Sequence, residues 1–127
     1  MDRFKFRIYI KYSNFMCYDI KSFFIDKLKQ KITGYFYGNH TKTFKLDDVE
    51  LMQSTGLKDK NGNLIYEHDL IKFDDDERIF EVFWDNASYC YRLGDIETKY
   101  VCTLAFVNHY NIEVIGNIHE NPELLEE

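Results

Sequence analysis

Residues 3–12 give the clearest structural signal in this chain, because two kinds of side chain alternate along them. Every even position is apolar or aromatic, and four of the five odd positions are Arg or Lys. Successive side chains of a strand point to opposite faces, so a period of two predicts a half-buried strand. We therefore expect a sheet protein whose first strand has a core face and a polar face.

Turn signals divide the middle of the chain in the way that antiparallel strands require. Asn61-Gly62 lies between apolar segments, and this dipeptide is preferred in tight hairpin turns. The runs 70–73, 79–84 and 89–92 then predict three strands joined by short turns, with Phe80 and Trp84 as core anchors.

The remaining segments give weaker signals. Residues 16–32 fit helical or strand spacing and favour strand, whereas 101–107 fit a short helix or a buried strand. Residues 112–118 predict a last strand, and Pro122 begins a helical turn. Aromatic residues make up 17% of the chain and suit pleated surfaces, so we predict a mainly β fold (β-rich α+β) of short antiparallel strands, in a small barrel or sandwich.

Charge is distributed unevenly along the chain. Residues 1–45 have a net charge of +7 and residues 46–127 a net charge of −13. Such asymmetry predicts either complementary faces within or between subunits, which we favour, or an external anionic partner.

No segment is apolar enough to predict a membrane span, and the N-terminal residues lack the apolar core of a signal peptide. The three cysteines, Cys17, Cys90 and Cys102, form no CxxC pair, so they predict buried thiols and neither a disulfide nor a zinc site. We expect a cytoplasmic protein, in the cytoplasm of a host cell, that makes no membrane contact.

Two long segments show a family resemblance. Residues 51–69 closely resemble the signature of the YopX family of phage and prophage proteins. Residues 113–125 resemble the family's C-terminal pattern, and Lys5-Phe6-Arg7 matches the start of its N-terminal strand. The signature positions of this chain that the resemblance implies to be structural are Thr55, Gly56, Leu57, Asp59, Asn61, Gly62, Tyr66, Glu67, Asp69, Gly116, Asn117, Asn121 and Pro122.

The resemblance implies a single domain over residues 1–127 with an SH3-like barrel in its second half. In this interpretation a basic β part, about 1–45, packs on an acidic barrel-like part, about 46–127. The resemblance also implies a phage setting and a homo-oligomer, and it implies no reaction and no cofactor.

The chain departs from the family pattern at two places. His68 stands where the family usually has Gly, and Ile8-Tyr9 stands where it usually has Ala-Trp. If that Gly occupies a turn with positive φ, His68 is strained there by about 1 kcal/mol.

Catalytic and metal-binding patterns are weak. Residues 59–63 imitate part of a calcium loop, but Leu70 stands where the bidentate Glu is needed, so a turn is the better interpretation. The four acids of 74–77 are more typical of a solvated turn than of a cation site. The four histidines lack ligand spacing, and no phosphate loop or nucleophile elbow is present. We therefore expect no enzyme and no metal.

The polar face predicted for the first strand is the candidate contact site. It comprises Arg3, Lys5, Arg7, Tyr9 and Lys11. Cations and an aromatic ring on a sheet face are typical of single-stranded nucleic-acid binding, but they also suit a solvated or intersubunit face. We favour assembly by protein contact, with an unidentified host or phage protein as a further partner, and keep nucleic-acid binding through this strand as the alternative.

Overall fold

The protein is mainly β, as predicted. A computed structural model describes residues 4–125, and over this range the chain forms twelve strands with short 3-10 turns between them. The strands are β1 (Phe6–Ile10), β2 (Phe15–Cys17), β3 (Ile20–Asp26), β4 (Lys31–Phe36), β5 (His40–Lys45), β6 (Val49–Lys58), β7 (Leu64–Tyr66), β8 (Asp69–Phe73), β9 (Ile79–Asp85), β10 (Cys90–Asp95), β11 (Val101–Thr103) and β12 (Ile112–Asn117). The 3-10 turns are Lys11–Ser13, Leu46–Asp48, Leu104–Phe106, His109–Asn111 and Pro122–Leu125.

A four-stranded sheet contains the first strand. Its order is β2-β1-β6-β7, and Ile8 of β1 lies opposite Cys17 of β2 and Leu51 of β6. All of its pairings are antiparallel. A strand from the first ten residues is therefore joined directly to one that begins at residue 49.

A three-stranded sheet follows in the chain, with the order β3-β4-β5. Its inner face packs on the four-stranded sheet through a core of Ile8, Ile32, Phe44 and Val49. Residues 16–32 therefore form strands, as favoured from the sequence, with a turn between β3 and β4. We call this element the basic sheet, because residues 20–45 contain six lysines and one Asp.

A five-stranded sheet of order β11-β10-β9-β8-β12 makes up most of the second half. It is antiparallel throughout and has a register shift between Val114 and Gly116. Its core comprises Ile65, Ile71, Phe80, Val82, Leu93, Leu104 and Ile112. The predicted strands of 70–73, 79–84 and 89–92 are confirmed as β8, β9 and β10.

One of the two predicted core anchors is wrong. Phe80 is 1% exposed, as expected, but Trp84 is 41% exposed. Trp84 lies near the end of β9, where its ring packs edge-on against Tyr91 and its Nε1 donates to Asn86. A ring at the end of a strand has the core on one side only, so it stays partly in solvent.

The division of the domain at residue 45 and the SH3-like barrel stay predictions. β1 pairs with β6, so the basic and acidic parts of the chain share one sheet. Within residues 4–125 no helix has the length and hydropathy that crossing a bilayer requires.

Candidate functional site

The polar face predicted for the first strand is buried. Arg7 is 1% exposed and Tyr9 is 8% exposed, so the prediction of one exposed ladder is wrong for these two residues. β1 lies between β2 and β6 and is covered on both faces, which leaves no polar face in solvent. Lys5 and Lys11 are exposed beyond the strand ends, and Arg3 lies outside the described residues.

Arg7 instead forms the floor of a polar cleft. Its Nη1 lies 2.9 Å from Oδ1 of Asp69 and donates to the Tyr18 hydroxyl at 3.2 Å. Its Nη2 donates to the Glu67 carbonyl oxygen at 2.9 Å. The guanidinium carbon also lies 4.8 Å from the centre of the Tyr66 ring. These contacts compensate a buried cation with a carboxylate, a carbonyl and an aromatic face.

Asp69 is held as firmly as its partner. It is 2% exposed, and its Oδ2 accepts from the Tyr66 amide at 2.8 Å. Burial raises the pKa of Asp69 to about 6, although Arg7 opposes this shift. The signature Asp69 was expected to accept from turn amides, and it does so while its other oxygen faces Arg7.

The cleft above this pair has a volume of about 530 Å³. Five signature positions line it, from two distant segments of the chain: Tyr66, Asp69, Gly116, Asn117 and Asn121. Asn121 Oδ1 accepts from the Asn117 amide, and Asn117 Oδ1 accepts from the amides of His119 and Glu120. A Cβ at Gly116 would lie 2.5 Å from Asn121 Oδ1, so this close approach requires glycine.

Signature residues of the β6–β7 hairpin satisfy backbone groups. Asp59 Oδ1 accepts from the amides of Asn61 and Asn63, and its Oδ2 accepts from the Val114 amide. Gly62 has φ +81°, as the turn requires. The hairpin predicted from Asn61-Gly62 is confirmed, and Asp59 also ties it to β12.

The other signature positions behave similarly. Thr55 Oγ1 donates to the Ile65 carbonyl oxygen at 2.8 Å, and Glu67 Oε1 accepts from the Gln53 amide at 2.7 Å. Leu57 packs against the core of the second half, and Pro122 starts the last 3-10 turn. These contacts agree with the structural role that the resemblance implies.

His68 occupies the strained position predicted from the family comparison. Its φ is +68°, in the left-handed region that favours glycine. Its Nδ1 lies 2.8 Å from Glu81 Oε2, and its Nε2 lies 3.7 Å from Glu50 Oε1. The hydrogen bond to Glu81 raises the pKa of His68.

His119 completes this group of side chains. Its Nε2 contacts the Glu50 carboxylate, and its ring stacks on Tyr9 with the ring centres 4.5 Å apart. Burial lowers the pKa of His119, although Glu50 opposes this shift. The two imidazoles therefore have opposite tendencies to hold a proton, and the group joins β1, β6 and β9 to the segment after β12. Sequence spacing does not show this group, because its members come from four distant segments.

Among residues 4–125, no group of three or more His, Cys, Asp or Glu side chains is arranged to hold a metal ion. The acids of the 74–77 corner pair with neighbouring cations: Asp74 with Lys60, Asp76 with Arg78 and Glu77 with Lys72. All three cysteines are partly buried free thiols.

The basic sheet shows a different charge pattern. Its lysines are Lys21, Lys27, Lys29, Lys31, Lys42 and Lys45, and all six are exposed. In the part of the chain that the structure describes, none of them forms an ion pair with a carboxylate. Complementary charge within the chain therefore accounts for Arg7 but leaves the basic sheet uncompensated.

Antiparallel strands in three sheets, joined through a buried Arg–Asp pair, define this chain as a mainly β protein with a structural polar centre. Comparison with known proteins gives the family. A family model described as "YopX protein" matches residues 5–126, and the chain therefore belongs to the YopX family.

Relatives of this family support the assignment. The crystal structure of protein yopX from Bacillus subtilis has the same fold, with a TM-score of 0.66 at 24% identity over 99% of this chain and 100% of that one. Protein EF1440 from Enterococcus faecalis has a TM-score of 0.65 at 26% identity, over 96% of this chain and 97% of that one.

A curated relative is the SPbeta prophage-derived uncharacterized protein YopX of Bacillus subtilis strain 168. It is 31% identical over 70 residues, which cover 51% of this chain and 52% of that protein. This match therefore spans about half the length of the curated relative.

Proposed function

We propose that this protein is a non-enzymatic module that works by assembling with copies of itself, in the cytoplasm of a phage-bearing host cell. The observation that supports it is an exposed, uncharged aromatic segment, residues 100–110. The phage setting is supported by the prophage origin that is stated for the Bacillus subtilis relative.

Residues 100–110 contain no Asp, Glu, Lys or Arg, in a chain of which 30% is charged. The most exposed large apolar side chains of the segment are Tyr100 at 54%, Val101 at 41%, Phe106 at 88% and Tyr110 at 83%. The centres of protein interfaces are depleted in charge and enriched in aromatic residues. An exposed segment of this composition therefore suits a protein contact better than a solvated surface.

The surrounding structure favours a second copy as the occupant. β11 is the edge strand of the five-stranded sheet and pairs with β10 alone in its sheet. The same patch on two copies can meet around a two-fold axis, which is the commonest symmetry of soluble oligomers. The excess of exposed aromatic residues also agrees with the expectation that one core of this size cannot hide them all.

Sedimentation velocity over a range of roughly 1 to 100 µM tests the proposal. We expect a dimer or larger species whose proportion rises with concentration. The double variant Phe106→Ser, Tyr110→Ser should raise the dissociation constant by about tenfold or more, because each buried aromatic ring contributes about 1.5–3 kcal/mol.

A matched control replaces two equally exposed apolar residues outside the segment. Leu28 is 98% exposed and Tyr89 is 79% exposed, so Leu28→Ser, Tyr89→Ser removes comparable apolar surface. Association should survive in this control. A monomer at every concentration for the unmodified chain, or equal loss of association in both double variants, would overturn the proposal.

A further inference from the structure

The outer face of the basic sheet combines exposed rings with uncompensated cations. We propose that this face binds single-stranded nucleic acid, with bases stacked on Phe24 and Tyr35 and phosphates held by the surrounding lysines. This surface is separate from residues 100–110, so the inference goes beyond the proposed self-assembly.

The strand register places both rings on one face. Phe24 lies opposite Thr33, and Tyr35 lies two residues further along the same strand as Thr33. Phe24 is 62% exposed and Tyr35 is 42% exposed. Diagonal neighbours of this kind lie about 7–8 Å apart on a sheet, which leaves room for a base on each ring. Sheets that recognise single-stranded RNA stack two or three bases on aromatic side chains in this way.

The lysines are placed where a backbone beside those bases would run. Lys31 and Lys45 lie directly opposite each other, on the same face as the two rings. Like charges in directly opposed positions destabilise a sheet, and a bound phosphate would remove that repulsion. Lys27 and Lys29 lie in the turn between β3 and β4, and Lys21 lies in β3 with its Nζ 6.0 Å from the centre of the Tyr37 ring.

Protection of a sheet edge and pairing with a second copy each account for less of this surface. Lysines on edge strands discourage edge-to-edge pairing, and this would explain Lys42 and Lys45 on β5. Edge protection does not explain two exposed rings on the face of the sheet. The acidic part of a second copy is a weaker partner, because three of the four acids in its densest acidic run, residues 74–77, already pair with cations.

Fluorescence anisotropy with labelled oligothymidine and oligouridine tests the inference. We expect binding at about 50 mM salt, with log affinity falling linearly against log salt by about 0.7 per neutralised phosphate. The variant Lys21→Gln, Lys31→Gln, Lys45→Gln should flatten that slope by about 2 units, because it removes up to three phosphate contacts. The variants Phe24→Ala and Tyr35→Ala should each weaken binding by about five- to a hundredfold, because each removes one stacked base.

The control for charge is Lys60→Gln, Lys72→Gln, Lys99→Gln, which removes the same charge from the other part of the chain. It should leave the salt slope unchanged. Because all the replaced side chains of the basic sheet are exposed, circular dichroism should show unaltered folds.

Three results would overturn the inference. The first is no binding at low salt, and the second is an equal loss of slope in both triple variants. The third is the absence of oligonucleotide binding together with a shift of the oligomer distribution in the Lys21, Lys31, Lys45 variant. That last result would assign the face to the acidic part of a second copy.

Discussion

Replacing His68 by Gly sets two contributions against each other at one position. The backbone of His68 has φ +68°, and an L residue with a side chain is strained there by about 1–2 kcal/mol relative to Gly. The His68→Gly variant should recover about 1 kcal/mol of this strain, after allowance for the greater chain entropy of an unfolded glycine.

The opposing contribution is the contact between Nδ1 of His68 and Glu81 at 2.8 Å. The His68 side chain is 29% exposed, so we place this hydrogen bond at the lower end of the usual range, about 0.5–1 kcal/mol when the ring is neutral. The contact is stronger when the ring is protonated, since both Glu81 and Glu50 then face a cation.

The balance depends on pH. Glu81 raises the pKa of His68 in the folded protein. The stability that follows from this shift is fully present below the unfolded pKa of about 6.5 and is lost as the pH rises through the folded pKa. His68→Gly should therefore be more stable than the unmodified protein by about 0.5 kcal/mol at about pH 9, and equal or less stable at about pH 5.5.

Urea unfolding at the two pH values measures this difference, and Lys99→Gly is the matched control. Lys99 has φ +66° and is exposed, and no carboxylate of the described residues forms an ion pair with it. Its replacement should stabilise the fold by about 1 kcal/mol at both pH values. A His68→Gly variant that is less stable at pH 9 while Lys99→Gly is more stable would refute the strain argument. A difference that does not change with pH would refute the electrostatic part.

Three further predictions concern the buried contacts. Asp69→Asn leaves the buried guanidinium of Arg7 without a counter-charge and should lower the free energy of unfolding by about 3–5 kcal/mol in urea; a loss below 1 kcal/mol would contradict the buried pair. Gly116→Ala forces its Cβ against Asn121 and should destabilise by about 1–3 kcal/mol, and this loss should shrink in an Asn121→Ala background, where the obstructing amide is absent. Chelator and reductant should leave the melting temperature unchanged, and a fall of several degrees with chelator would mean that a cation site exists.

Local sequence chemistry was sufficient for much of the fold. The alternation in residues 3–12 predicted β1, and Asn61-Gly62 predicted the turn between β6 and β7. Both signals depend on neighbours in the chain, because side-chain alternation and turn conformation are set by a few consecutive residues. The positive φ at His68 was likewise foreseen, since one family position where glycine is usual indicates a backbone requirement.

Burial of particular side chains was decided by the tertiary structure. The odd positions of β1 indicate a polar face in the sequence, but β1 is an inner strand with protein on both faces, so Arg7 and Tyr9 are buried. The same limit applies to Trp84, whose place near a strand end exposes a ring that its residue type would put in the core.

The pairing of distant groups was also invisible in the sequence. Arg7 and Asp69 are 62 positions apart, and Glu50, His68, Glu81 and His119 meet only because three sheets pack together. The sequence by itself determined which segments form strands and turns, because those preferences are local. Only the tertiary structure decided which charges are neutralised inside the protein and which remain on the basic sheet, because a charge is compensated by its neighbours in space.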